Sequence, residues 1–247
     1  MKSLNQKERK NNFQEITISK IIEEVPDVKT FRFQTKKNLD FEIGQFVILR
    51  FPENDEKYKI GQRAYTISSI PNNENYFELT IQKVGRFTIP LFDCKINDKL
   101  LFKGPYGQNP LNGQDKEIVF LPGGCGITPF LSILRSIQKT KKDYKITIIY
   151  SCKTPDTIIR KKEIGDICKE NPNIKCYFTI TRPRPEDKNW KGFIGRINKD
   201  LIKKLVPDLK TKKYVLCGTN NMIQELKKTL IEDLKVPKEK VIAENWG

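Results

Sequence analysis

The sequence predicts two domains, an antiparallel β-barrel followed by an α/β domain built on a parallel sheet. Two changes of pattern predict this. Up to about residue 112, short apolar or alternating segments recur roughly every 10 to 15 residues with few helical windows, the spacing of a barrel or sandwich. Beyond it, apolar runs alternate with amphipathic stretches, which is how a parallel sheet covered on both faces is written. At 247 residues the chain is long enough for both. The expected layout is an arm over 1–12, a barrel over 13–112 and an α/β domain over 113–247.

In the first half, Ile16 and Ile18 alternate, as do Phe31 and Phe33. Phe46 to Phe51 is apolar enough for a strand buried on both faces, and Pro52 stops it. Tyr65–Ile70 and Tyr76–Lys83 read as two further strands around the turn Pro71-Asn72-Asn73, with a short helix over Ile89–Phe92. In the second half, strands are expected over 118–121, 145–150, 175–180, 213–216 and 241–243. Helices are expected over 129–138, 157–168, 198–205 and 221–234.

Charge is lopsided, 46 Lys+Arg against 30 Asp+Glu, for a net +16. Such a surface favours acidic partners, although a lysine-rich solvated surface is the simpler explanation. Basic and aromatic residues do not interleave as a base-stacking platform requires, so nucleic acid is not the expected partner. There is no histidine, which removes His-based triads and most zinc and haem ligand sets. The six cysteines include no C-x-x-C pair and no iron–sulfur spacing, so no metal site is expected. Met1 to Asn12 lacks an apolar core and no window resembles a membrane span. A reduced cytoplasmic protein is the simplest expectation.

Four short motifs carry the chemistry. Phe120-Leu121-Pro122-Gly123-Gly124-Cys125-Gly126-Ile127-Thr128-Pro129 runs from a strand through a glycine-dense turn into a helix. Free N–H groups and the positive helix end suit a phosphate there, or the turn is a plain corner, since the spacing is not G-x-G-x-x-G. Arg63-Ala64-Tyr65-Thr66 places a cation beside an aromatic ring, able to pair with phosphate and stack on a planar ring, or simply an ordinary strand. Lys83-Val84-Gly85-Arg86-Phe87-Thr88 ends a strand at a glycine before the short helix, and Gly104-Pro105-Tyr106-Gly107 is a tight turn.

The order of these motifs, closing with Cys217-Gly218-Thr219, resembles the ferredoxin–NADP reductase superfamily of flavoenzymes from about Ile16 to Gly247. The resemblance implies a flavin-binding barrel, a nicotinamide-nucleotide-binding α/β domain, and hydride transfer between NAD(P)H and flavin. It implies that Arg63 pairs with the flavin phosphates, Tyr65 stacks on the isoalloxazine and Thr66 lies near N5, with Ala64 beside them. Lys83, Gly85, Arg86, Phe87 and Thr88 resemble a pyrophosphate loop, which favours FAD over FMN. Gly123, Gly124, Cys125, Gly126, Ile127, Thr128 and Pro129 resemble the loop that receives the nicotinamide nucleotide. Cys125 is expected there as a small filler more than a reactive thiol. Cys217 and Gly218 would lie by the nicotinamide, with Thr66, Cys217 and Glu244 as the catalytic set. Trp246 would cover the second flavin face. No acidic residue directly follows the strand ending at Tyr150, where NADH users often carry one. Ser151 lies there instead, and Lys153 with Arg182 could hold a 2′-phosphate, so NADPH is favoured. The implied partner is an acidic ferredoxin or flavodoxin. A cytochrome b5 reductase-like enzyme, a flavin or ferric reductase, or an electron-transfer subunit of a larger complex is the alternative.

Overall fold

The computed structural model describes residues 13–72, 74–111 and 115–245, with Glu244 and Asn245 described by backbone alone. The expected arm over 1–12 and Trp246 lie outside the described residues.

Six strands form the first sheet: β1 (Gln14–Val25), β2 (Val28–Gln34), β3 (Phe46–Arg50), β4 (Gln62–Thr66), β5 (Tyr76–Gln82) and β6 (Lys99–Tyr106). Their order is β4-β3-β6-β1-β2-β5, and every pairing is antiparallel. Beyond β4 the chain crosses to the far edge, where the Ser68 N–H donates to the Glu78 carbonyl at 2.9 Å. This contact joins the two edge strands and makes the sheet a barrel. Alternate residues point inward, so Ile16, Ile18, Phe31, Phe33, Val47, Leu49, Phe77, Leu79 and Phe102 fill the interior.

β4 differs from the expected strand over Tyr65–Ile70: it begins at Gln62 and ends at Thr66. Its register against β3, Phe46 to Thr66 and Arg50 to Gln62, sets those limits. Ile67 turns away, its N–H donating to Gln45. Helix α1 (Gly85–Phe92) starts four residues before the expected one. Gly85 supplies a φ of +76°, a conformation costly for other residues. The Thr88 hydroxyl accepts the Val84 N–H at 2.6 Å and so caps the first turn.

The second sheet holds β7 (Glu117–Pro122), β8 (Lys145–Cys152), β9 (Ile174–Ile180), β10 (Phe193–Ile194), β11 (Lys213–Gly218) and β12 (Val241–Asn245). The order is β10-β9-β8-β7-β11-β12, all parallel. Alternation along β7 sends Ile118 and Phe120 to one face and Val119 and Leu121 to the other. The first face packs against α2 (Thr128–Thr140) and α3 (Lys161–Glu170), the second against α4 (Lys199–Leu205) and α5 (Asn220–Lys228). The expected helix over 157–168 is split. A 3₁₀ turn covers Pro155–Thr157, Arg160 takes φ +54°, and α3 follows. The expected helix over 221–234 is α5 continued by a π-helical turn, Thr229–Asp233.

The chain builds β7 to β10 outward in one direction, then returns to lay β11 on the other side of β7. The C-terminal ends of β7 and β11 therefore flank a topological switch point, where open parallel sheets bind ligands.

Candidate active site

A cleft of about 620 Å³ opens at that switch point and is lined from both domains. The barrel contributes Arg63 to Thr66 from β4, Thr80 to Gln82 from β5, and Val84 to Thr88 at the start of α1. The α/β domain contributes Gly123, Cys125, Gly126, Thr128, Gly218 and Thr219. The volume suits a cofactor-sized molecule.

On the barrel wall, the half-buried Tyr65 ring packs against Phe87 at 6.1 Å, and Phe87 leans on Phe51 at 5.2 Å. Burial pushes the Tyr65 phenol above its ordinary value, with Arg63 opposing, so the hydroxyl stays neutral at physiological pH. Thr66 is buried at the end of β4. Ala64 and the guanidinium residues Arg63 and Arg86 are exposed along the cleft. The opening N–H groups of α1 have no partner within the helix, as at any helix start. The Thr88 hydroxyl is engaged in its own turn, donating to the Val84 carbonyl at 2.6 Å. Lys83 does not line the cleft. Its ammonium lies 5.9 Å from the centre of the Phe92 ring.

The opposite wall is the glycine turn. The Gly123 N–H donates to the Cys217 carbonyl at 2.8 Å, and the Gly126 N–H to the Gly123 carbonyl at 2.9 Å. A side chain at Gly126 would place its Cβ 2.2 Å from the Cys217 oxygen, so only glycine lets this turn lie on β11. Gly124 instead needs its positive φ of +53°; its carbonyl accepts the Tyr150 hydroxyl at 2.9 Å. Cys125 is part-buried, its sulfur 3.6 Å from the Thr80 carbonyl across the domain junction. Burial pushes its thiol up, with a hydrogen bond to Thr128 opposing, so it is a neutral thiol at physiological pH. Thr128 donates to the Cys125 carbonyl at 2.7 Å.

Ile127 and Pro129 are buried behind this turn and hold it to the core. Ser151 forms a parallel bridge with Gly123. Cys217 is buried one residue below Gly218, and the β12 backbone at Glu244 lies beside it in register. Lys153 and Arg182 are exposed at the ends of β8 and β9, where the Arg182 N–H donates to the Lys153 carbonyl at 2.8 Å.

Three contributors have no assigned role in the sequence motifs. The end of β5, Thr80 to Gln82, looked like an ordinary strand, although it leads directly into Gly85 and so borders whatever α1 borders. Thr219 caps α5, and its position just before a helical stretch was the available signal. Tyr150, which fixes the Gly124 carbonyl, looked like any strand tyrosine.

Comparison with known proteins agrees with this architecture. The oxidoreductase FAD-binding domain model matches residues 15–110 and the oxidoreductase NAD-binding domain model residues 120–228. An NADH-cytochrome b5 reductase-like protein of Arabidopsis thaliana is 31% identical over 206 residues, 79% of this chain and 61% of that protein. A glycine betaine monooxygenase reductase subunit of Chromohalobacter salexigens is 28% identical over 217 residues, 85% of this chain and 58% of the relative. The chain thus spans about three fifths of the length of these relatives. The cytochrome b5 reductase domain of Ulva prolifera nitrate reductase superposes with a TM-score of 0.82 at 23% identity, covering 98% of this chain and 99% of that one. Two domain models in this order, on a closed antiparallel sheet and a parallel sheet meeting at one cleft, leave a single conclusion: the chain belongs to the FAD- and NAD-binding oxidoreductases of the ferredoxin–NADP reductase superfamily.

Proposed function

We propose that the protein oxidises NADPH and passes the electrons, through FAD, to an acidic carrier of the ferredoxin or flavodoxin kind. One observation carries this reading: a single cleft joins the Tyr65–Thr66 wall, the start of α1 and the glycine turn. The residues fit FAD. The Tyr65 ring offers a flat apolar face for the isoalloxazine. Arg63 and Arg86 supply cations for the pyrophosphate, and the opening N–H groups of α1 supply donors. When bound, the flavin supplies the chemistry, taking a hydride from the nicotinamide and releasing electrons singly or in pairs.

The chain's own work is alignment and exclusion of water. The Thr66 hydroxyl is assigned to the flavin side of the cleft, beside Tyr65. Gly123 to Thr128 receive the nucleotide, Gly126 by close approach to β11 and Thr128 by starting α2. Cys217 and Glu244, neighbours at the strand ends, are assigned to the nicotinamide side, and Trp246 to covering the flavin.

The preference for NADPH rests on Lys153 and Arg182, exposed on neighbouring strand ends. Asp156, the first carboxylate after β8, is engaged by Arg184 at 2.7 Å, which also meets Glu186 and Asp187. Steady-state kinetics with both nucleotides test this: NADPH should give the higher kcat/KM, and a large NADH preference would reject it. The net charge of +16 supports an acidic partner through steering. Reduction rates with ferredoxin or flavodoxin should fall steeply with salt; a salt-independent rate with the true acceptor would count against steering. The names of the relatives support a second reading, a reductase component serving an oxygenase or cytochrome b5. Faster turnover with such a protein would favour it. No described helix is long and apolar enough to cross a membrane, and a cytoplasmic location is part of the proposal.

A further inference from the structure

Four charged side chains alternate in sign across the domain junction. On the α/β side, Arg135 of α2 grips Glu163 of α3 through two guanidinium nitrogens. Glu163 also lies 3.6 Å from Arg160. Arg160 then crosses to Glu24 of β1, whose side chain is only 5% exposed. The barrel returns the connection. Thr30 donates to Glu24, and the Thr80 hydroxyl lies within hydrogen-bond reach of both Thr30, at 2.8 Å, and Ser68, at 3.1 Å. The ring closes where Arg135 donates to the Ser68 carbonyl at 2.7 Å.

Both walls of the cleft hang from this ring. Ser68 lies two residues beyond Thr66. Thr80 lines the cleft, and its carbonyl faces Cys125 at 3.6 Å and the Thr128 hydroxyl at 3.4 Å. Partly buried ion pairs are a poor source of stability, because desolvation offsets their attraction, while their fixed geometry can specify an arrangement. The arginine forks are directional.

We infer that Glu24, Arg160, Glu163 and Arg135 form a clasp that sets the glycine turn at a fixed distance from the Thr66 wall. They are positioning residues: none lines the cleft. The effect on turnover rests on the flavin–nucleotide reading above; the effect on the junction does not.

The test is a double-mutant cycle on the full chain with Glu24→Gln and Arg160→Gln, read by amide hydrogen exchange and by anaerobic flavin reduction. Each single variant should speed exchange over residues 80–82 and 123–128 by at least about tenfold. The double variant should be no worse than either single one. Thr30→Val, a milder cut in the same ring, should shift the same amides less, and it serves if the charged variants fail to fold. At saturating nucleotide, reduction should slow by about tenfold to a hundredfold with flavin content unchanged. Unchanged exchange over 123–128, or effects of the two substitutions that simply add, would overturn the clasp. If exchange responds as expected but neither nucleotide reduces the wild-type flavin, the proposed function falls and the clasp stands.

Discussion

Gly126→Ala is the sharpest perturbation of the glycine-turn wall of the cleft. The new Cβ would lie 2.2 Å from the Cys217 oxygen and 2.5 Å from its carbonyl carbon. Ordinary contact begins at 3.4 Å, so one backbone must retreat by about 1 Å. Neither segment is free to do so cheaply. Cys217 is held between β7 and β12, and its carbonyl already accepts the Gly123 N–H at 2.8 Å. Overpacking of this kind costs about 1–3 kcal/mol, and weakening the Gly123 bond adds about 1 kcal/mol. The expected loss is therefore about 3 kcal/mol, or a melting midpoint lowered by roughly 6–12 °C. Gly124→Ala is the control. Nothing lies within 4 Å of its Cβ position, and only its φ of +53° is unfavourable, costing about 1–2 kcal/mol. Thermal melts and nucleotide-dependent reduction should rank wild type above Gly124→Ala and Gly124→Ala above Gly126→Ala. A Gly126→Ala protein as stable as Gly124→Ala would refute the close-approach argument.

Tyr150→Phe removes the hydroxyl that donates to Gly124 and accepts from Ile159; we expect about 1–3 kcal/mol of lost stability in denaturant titration and a raised KM for nucleotide. Burial would raise the Glu163 carboxyl, but hydrogen bonds and charge from Arg135 bring it below its ordinary value. Its contribution is thus complete above about pH 4.3 and lost as pH falls through the folded value, so Glu163→Gln should flatten the acid limb of a stability–pH profile. Among the cysteines, burial pushes Cys94 up to about 11 and Cys152 up to about 12, whereas a hydrogen bond with Cys176 lowers Cys168. Iodoacetamide near pH 8 should therefore modify Cys168 well before Cys94 or Cys152, as peptide mass mapping would show.

Much of this was legible in the chain because periodicity and turns are local. The alternation of Phe31 with Phe33 and the run Phe46 to Leu49 marked barrel strands, and strand–turn–helix order marked the parallel sheet. The glycine turn was visible as a turn, but its reasons differ from residue to residue: Gly124 needs a backbone angle, Gly126 needs an absent Cβ against β11. That second reason depends on a strand ninety-one residues away and is not written locally. The end of β4 was misplaced because Ile67 and Ile70 extend the apolar pattern of Tyr65, while pairing with β3 stops at Thr66. The junction ring was invisible for the same reason. Glu24, Arg135, Arg160 and Glu163 are ordinary charges in a sequence rich in them, and only the packing of α2 and α3 against β1 and Ser68 brings them together.

The proposed function requires one cleft to hold flavin and nicotinamide nucleotide in contact. The most direct measurement is the visible spectrum of the purified chain, reconstituted with FAD and titrated anaerobically with NADPH and NADH. Bound flavin absorbance should appear, bleach on adding nucleotide and be weakened by Tyr65→Ala. A chain that binds no flavin after reconstitution, or bound flavin that neither nucleotide reduces, would contradict it.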